Sequence, residues 1–194
     1  MTIPAWTNTG ILPPYVGDNA TSRGFGARSP YRTSLSALVD RFAINERRIR
    51  LLDGFLRYRQ ALHAEGLAVG LQWLDGSFVE RVEEHRPEKR YPSDIDVVTL
   101  LPAPSAEDIT ERRERLFDPE YTKREFGVDA YPIEVGSTVE LLVDDITYWF
   151  GLFSHRRETR EWKGILEFGL APDGEDSLRA QLSRLLEGGD DEQS

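Results

Sequence analysis

The chain has 194 residues, 39% of them hydrophobic, which is enough for one well-packed core. With 34 acidic against 24 basic residues the net charge is −10, which argues against a protein that coats long nucleic acid by neutralising its phosphates. No cysteine occurs, so a disulfide scaffold and a thiolate metal site are excluded and an intracellular location fits.

The N-terminal stretch MTIPAWTNTGILPPYV lacks the basic start and apolar core of a signal peptide. No run approaches the roughly 20 apolar residues of a bilayer span, so a cytoplasmic protein without membrane insertion is expected. Residues 1–32 carry Pro13-Pro14 and a Gly24/Gly26 pair and predict an extended arm draped over a single domain at 33–187. From Ser34 the positions Leu35, Leu38, Val39 and Phe42 keep a helical period. Asn45 caps a second helix carrying Ile49, Leu52, Phe55, Leu56 and Leu62 that ends at Gly66.

Leu67 to Leu74 reads as a buried strand closing on Asp75-Gly76-Ser77, and Asp94 to Leu101 as a second one. Pro102 and Pro104 break that strand, and Ser105 with Asp108 suggests a capping box for a charged helix through about Leu116. A third strand is expected at Val128 to Val135, a helix at Ser137 to Phe153, a strand at Lys163 to Leu170 and a closing helix at Leu178 to Leu186. The Gly- and Asp-rich tail at 188–194 reads as disordered. Alternating strands and helices define an α/β or α+β class, a small mixed sheet flanked by helices.

The sequence places two aspartates two residues apart in the run YPSDIDVVTL. Side chains of a strand alternate, so Asp94 and Asp96 share one face while Ile95 and Val97 enter the core. Each carboxylate raises the cost of ionising the other, and partial burial adds to it, so the pair needs a cation, hydrogen bonds or protonation. Oxygen ligands without histidine or cysteine suit a hard ion, Mg²⁺ or Mn²⁺. Gly76-Ser77, ending the previous apolar run, lets backbone approach a bulky anion and offers an amide and a hydroxyl to phosphate. A third acid on a neighbouring strand would complete a two-metal site. Asp129 in FGVDAYPIEV is the candidate, and Glu134 is the fallback, although five residues on along a regular strand it faces away from Asp129.

An apolar strand, Gly-Ser, a spacer, Asp-Ile-Asp in a second strand and a later strand acid resemble the DNA polymerase β-like nucleotidyltransferase superfamily in its minimal bacterial branch. The wider resemblance runs from about Gly10 to Leu170 and includes Gly-Ile-Leu-Pro-Pro, Trp-Leu-Asp-Gly-Ser-Phe-Val and the late Lys-Gly-Ile-Leu. It points to a bacterial group whose relatives occur in toxin–antitoxin and phage-defence settings. The resemblance implies the polymerase β-like fold, Gly76 and Ser77 on the triphosphate, and Asp94, Asp96 and Asp129 as metal ligands and catalytic residues. It also implies transfer of a nucleotidyl group from an NTP, ATP among them, or a dNTP to an acceptor hydroxyl. Sixteen residues, Phe78 to Ser93, separate Ser77 from Asp94, longer than the commonest spacing in the superfamily. Arg81, Arg86, Lys89 and Arg90 in or beside that spacer are therefore candidates for the γ-phosphate, and Lys163, in the cluster His155-Arg156-Arg157, Arg160, Lys163, is a candidate nucleotide ligand.

More neutral readings apply to Asp75, as a turn residue capping a helix near Phe78, to Trp73, Tyr131, Trp149 and Phe150, as core aromatics, and to His63 and His85, as surface residues. Several acceptors fit: a nucleotide or oligonucleotide, giving a signalling or polymerised product in phage defence, or a tRNA end or protein side chain in a toxin–antitoxin pair. From another class comes an inactive nucleotide-binding or antitoxin module. The arm at 1–32 has the reach to join a second copy in a homo-oligomer, and a cognate defence or toxin–antitoxin partner is a separate expectation.

Overall fold

In the computed structural model the described residues are 2–17, 27–85, 91–105, 109–136 and 138–190. The expectations that rest on Gly24/Gly26, Arg86, Lys89, Arg90, Asp108, Ser137 and residues 191–194 lie outside them.

A two-residue strand, β1 (Tyr31–Arg32), ends the N-terminal arm. Ser34 then accepts a hydrogen bond from the Ala37 amide and opens α1 (Leu35–Phe42), and Asn45 accepts one from the Arg48 amide and opens α2 (Glu46–Ala64). The chain leaves α2 through a turn in which the Leu67 amide still donates to Leu62 O. Regular pairing therefore starts later than expected, at β2 (Leu71–Asp75). A single 3₁₀ turn over Gly76–Val79 follows, then the short α3 (Val82–His85) and the long β3 (Ile95–Pro102).

The charged helix expected from Ser105 is shorter: α4 (Glu111–Arg115) is capped by Thr110. An element that the sequence reading left out comes next, α5 (Pro119–Phe126), with Asp118 as its cap, proline in its first turn and a left-handed Gly127 after its last. β4 (Val128–Val135) has the expected bounds, and α6 (Val139–Phe153) starts from a Thr138 cap. The last strand is shortened to β5 (Leu166–Gly169). Before it, the amides of Lys163, Gly164 and Ile165 donate instead to Ser154 O, Leu12 O and the Ser29 hydroxyl. Finally α7 (Glu175–Asp190) runs past Gly188, into the segment expected to be disordered.

The five strands form one mixed sheet in the order β1-β5-β2-β3-β4, with β1/β5 and β3/β4 parallel and β2 antiparallel to both its neighbours. One face carries Leu74, Ile95, Val97, Val128, Ala130, Leu166 and Phe168, buried against α1, α2, α7 and the arm residues Ile3 and Leu12. Each such large side chain contributes roughly 1.5–3 kcal/mol by leaving water, so this face supplies most of the stability. The other face holds Trp73, Val98, Leu100, Ile133 and Ile165 under α6, with the tilted rings of Tyr131 and Trp149 4.5 Å apart, consistent with the reading of these aromatics as core. Phe153 is the one fully buried residue of α6, and Val139, Leu141, Val143 and Tyr148 are exposed. The class is thus α+β, a mixed sheet flanked by helices. Among the described residues no helix is long and apolar enough to cross a membrane.

Two buried arginines fix the parts that matter for the site. Arg48 on α2 donates to Phe78 O, Glu80 O and the Glu83 carboxylate, which pins the loop that follows Gly76-Ser77. Arg59 joins Gln72 of β2 to Glu175 and Ala171 O at the start of α7. Their polar atoms are bonded rather than stranded, as burial of a charge requires.

Candidate active site

Register brings the carboxylates together. Asp96 pairs with Asp75 across β2/β3 and with Asp129 across β3/β4. Directly paired residues put their side chains on the same face, so three adjacent strands present three acids in a row, with Asp94 two residues before Asp96. All four line one cleft of about 270 Å³ together with Gly76, Ser77, Ser93, Lys123, His155, Arg157 and Lys163. The six residues singled out for nucleotide and metal, Gly76, Ser77, Asp94, Asp96, Asp129 and Lys163, therefore meet in one place. Glu134 lies elsewhere, beside Leu101, Pro104 and Ile109.

Gly76 is needed where it stands. Its φ is +78°, and a Cβ there would overlap the Asp96 carboxylate. The backbone of the Gly-Ser turn thus lies directly against the central aspartate.

The charges are unevenly compensated. Asp94 accepts from the Ser93 hydroxyl at 2.8 Å and from the Lys123 ammonium at 2.5 Å, and Lys123 also lies 3.7 Å from Asp129. Burial, then the neighbouring Asp94 and Asp129, pushes Asp96 up to about 6. Side-chain hydrogen bonding to Asp94 lifts Lys123 above the usual lysine range. Oδ1 of Asp129 is buried without a hydrogen-bond partner.

Behind this row sits a second, closed network. Lys163, 3% exposed, donates to Asp75 at 2.9 Å, Glu80 at 3.1 Å and Gly76 O at 3.2 Å, and Arg156 holds the other oxygen of Glu80 at 3.1 Å. Burial raises Asp75 to about 7 against the pull of Lys163, and its Oδ1 is also unpartnered. Asp75 makes no side-chain capping bond to the turn that follows it, so its role as a helix cap is corrected: it is a buried carboxyl group held by Lys163. Lys163 in turn is held from behind by two carboxylates. Among the described residues the exposed cations on the cleft wall are Arg157 and Lys123. Arg81 pairs with Glu84 and lies over the Trp6 ring, outside the cleft. His63 is half-buried on Leu170 O rather than at the surface.

Sequence reasoning missed Lys123 and Glu80 as parts of the site, and it placed Arg156 in the basic cluster that could hold triphosphate or acceptor rather than on Glu80. Lys123 was findable through the helix signals Asp118-Pro119 and Gly127. The other two meet their partners across more than 70 residues and leave no local pattern.

A divalent cation fits this donor set. The ligands are carboxylate oxygens, Asp129 offers an unbonded oxygen, and Asp96 is short of positive charge. Asp94, Asp96 and Asp129 would hold the ion. Among the described residues no three acids or histidines converge into a metal-ligand set as they stand. A lysine ammonium lies between Asp94 and Asp129, 2.5 and 3.7 Å from them.

Residues 4–169 match the model of a Family of unknown function (DUF6932), and the chain belongs to that family. No curated protein and no solved structure matches it.

Proposed function

We propose that this member of the DUF6932 family is a Mg²⁺-dependent nucleotidyltransferase on a minimal polymerase β-like core. In this reading it transfers a nucleotidyl group from an NTP or dNTP to an acceptor hydroxyl. The observation that carries the reading is the register: Asp96 faces Asp129 on one neighbouring strand, while β2, its other neighbour, ends in the Gly76-Ser77 turn packed against its carboxylate. A row of acids needs no phosphate turn to be stable, and a turn of this kind needs no acids; their convergence is what a phosphate-transfer site requires.

Each residue then has a task. The Gly76 backbone and the Ser77 hydroxyl and amide seat the triphosphate, with Arg157 on the cleft wall adding positive charge. Asp94, Asp96 and Asp129 hold Mg²⁺ or Mn²⁺, which when bound neutralises the triphosphate and acidifies the acceptor hydroxyl. Asp129, with its free buried oxygen, accepts the acceptor's proton. The acceptor oxygen bonds to the α-phosphorus, the bond from that phosphorus to the β-bridging oxygen breaks, and pyrophosphate leaves. Lys163, clamped between Asp75 and Glu80, acts as a positioning residue for the Gly-Ser turn through Gly76 O. A nucleotide or oligonucleotide acceptor, in phage defence, is the preferred assignment, and a cytoplasmic location goes with an NTP substrate. Net charge −10 weighs against a large RNA acceptor.

The test is incubation with each α-labelled NTP and dNTP plus Mg²⁺ or Mn²⁺, beside an Asp94→Ala/Asp96→Ala variant. A labelled product and released pyrophosphate that both need the aspartates are expected. Label appearing only on added tRNA or protein moves the acceptor to a macromolecule. Nucleotide binding without transfer to any acceptor refutes the enzyme and leaves a binding module.

A further inference from the structure

The cleft contains two lysines in opposite situations. Lys163 is 4% exposed in its side chain and fixed by two carboxylates and a carbonyl. Lys123 is 51% exposed, and its ammonium lies 2.5 Å from Asp94 and 3.7 Å from Asp129. It stands in the last turn of α5, and the chain passes from there through Gly127 directly into β4, which carries Asp129. The helix therefore hangs this one ammonium over the mouth of the acid row, on a stem that reaches solvent.

An ammonium between two carboxylates does part of what a divalent cation would do there. It supplies one positive charge and hydrogen bonds beside Asp94 and Asp129, the two carboxylates that add to burial in pushing Asp96 up to about 6. A free divalent ion must break the charge-assisted bond to Asp94 before it can take that oxygen. An ion arriving on a polyphosphate brings anionic oxygens to which the displaced, still flexible Lys123 can turn. The same lysine thus opposes the bare ion and tolerates the ion with its nucleotide.

We propose that Lys123 is a built-in counter-ion that competes with the divalent cation for Asp94 and Asp129, so that the cleft admits metal with its nucleotide in preference to metal alone. This rests on the reading of the cleft as a metal–nucleotide site.

The experiment is titration of Mn²⁺ alone, without nucleotide, into the wild-type protein, Lys123→Met, Lys123→Gln and Asp96→Asn, read by calorimetry, with thermal unfolding of each in EDTA and in Mn²⁺. Both Lys123 variants are expected to bind Mn²⁺ at least about tenfold more tightly than wild type, the effect of removing one charge-assisted bond. They should also melt below wild type in EDTA and recover in Mn²⁺, because their acids then lack a cation. Asp96→Asn should bind weakly. Equal Mn²⁺ affinity in wild type and both Lys123 variants, with binding still dependent on Asp96, overturns the counter-ion role while leaving the metal site standing. Absence of Asp96-dependent binding in every variant overturns the metal site itself and the counter-ion role with it.

Discussion

At the residue scale, Asp96 shows how function and stability oppose each other. It sits between two other aspartates in a cleft where burial, then Asp94 and Asp129, raise it to about 6. The unfolded chain releases that proton near pH 4. Between about pH 4 and 6 the native state therefore holds a proton that the unfolded state has lost, and native stability falls as pH rises through this window. Asp96→Asn removes the titration. Without metal, the variant is expected to be more stable than wild type above about pH 6, by about 1–3 kcal/mol, and no more stable below about pH 4. It should be inactive in nucleotidyl transfer throughout. Paired denaturation curves in EDTA at pH 4 and pH 8 check this; a variant less stable at pH 8 would mean that Asp96 is well compensated in the resting protein. Such a trade is expected where a carboxylate is retained for a ligand rather than for the fold.

At the element scale, α5 is the piece on which both the site and the legibility of the sequence turn. Its eight residues, PEYTKREF, are mostly polar, and only Thr122 is buried, so hydrophobic periodicity passes over it. What defines it is its ends: Asp118 accepts from the Glu120 amide at 3.0 Å and the Tyr121 amide at 3.5 Å, and Gly127 takes the left-handed conformation. Asp118→Ala should cost about 1 kcal/mol of global stability. Amide exchange should quicken in α5 before it does in α2, and slower exchange in α5 than in α2 would show that packing rather than the cap holds it. Elsewhere the sequence was readable where a local rule governed: the helical period from Ser34, the cap Asn45, the bounds of β4, the parity that puts Asp94 and Asp96 together. It was unreadable where distant partners governed. β5 is short because Lys163, Gly164 and Ile165 bond to a loop and to the arm. Asp75 is an ion-pair partner rather than a cap because Lys163, far along the chain, lies behind it.

At the scale of the whole molecule, the sheet divides the labour between its faces. One face is sealed by α1, α2, α7 and the arm around a large apolar core. Among the described residues the other is covered by α6, and beyond its end the acids, the Gly-Ser turn and the cations Lys123 and Arg157 open to solvent. The arm contributes by tying this open end down: Trp6 Nε1 donates to Val79 O, the Arg81 amide donates to Gly10 O, and Arg156 donates to Thr9 O. The larger apolar core thus lies on one side of the sheet, and the other carries, beyond its smaller core, a charge cluster too costly for an interior. The claim that joins these scales is that Asp94, Asp96 and Asp129 hold a metal beside a triphosphate seated on Gly76-Ser77. Anomalous diffraction from crystals grown with Mn²⁺ and a non-hydrolysable NTP tests it most directly. The account predicts a manganese peak within bonding distance of those three aspartates, with the phosphates along the Gly76-Ser77 turn. A cleft left without manganese and nucleotide, or a peak on other residues, would contradict it.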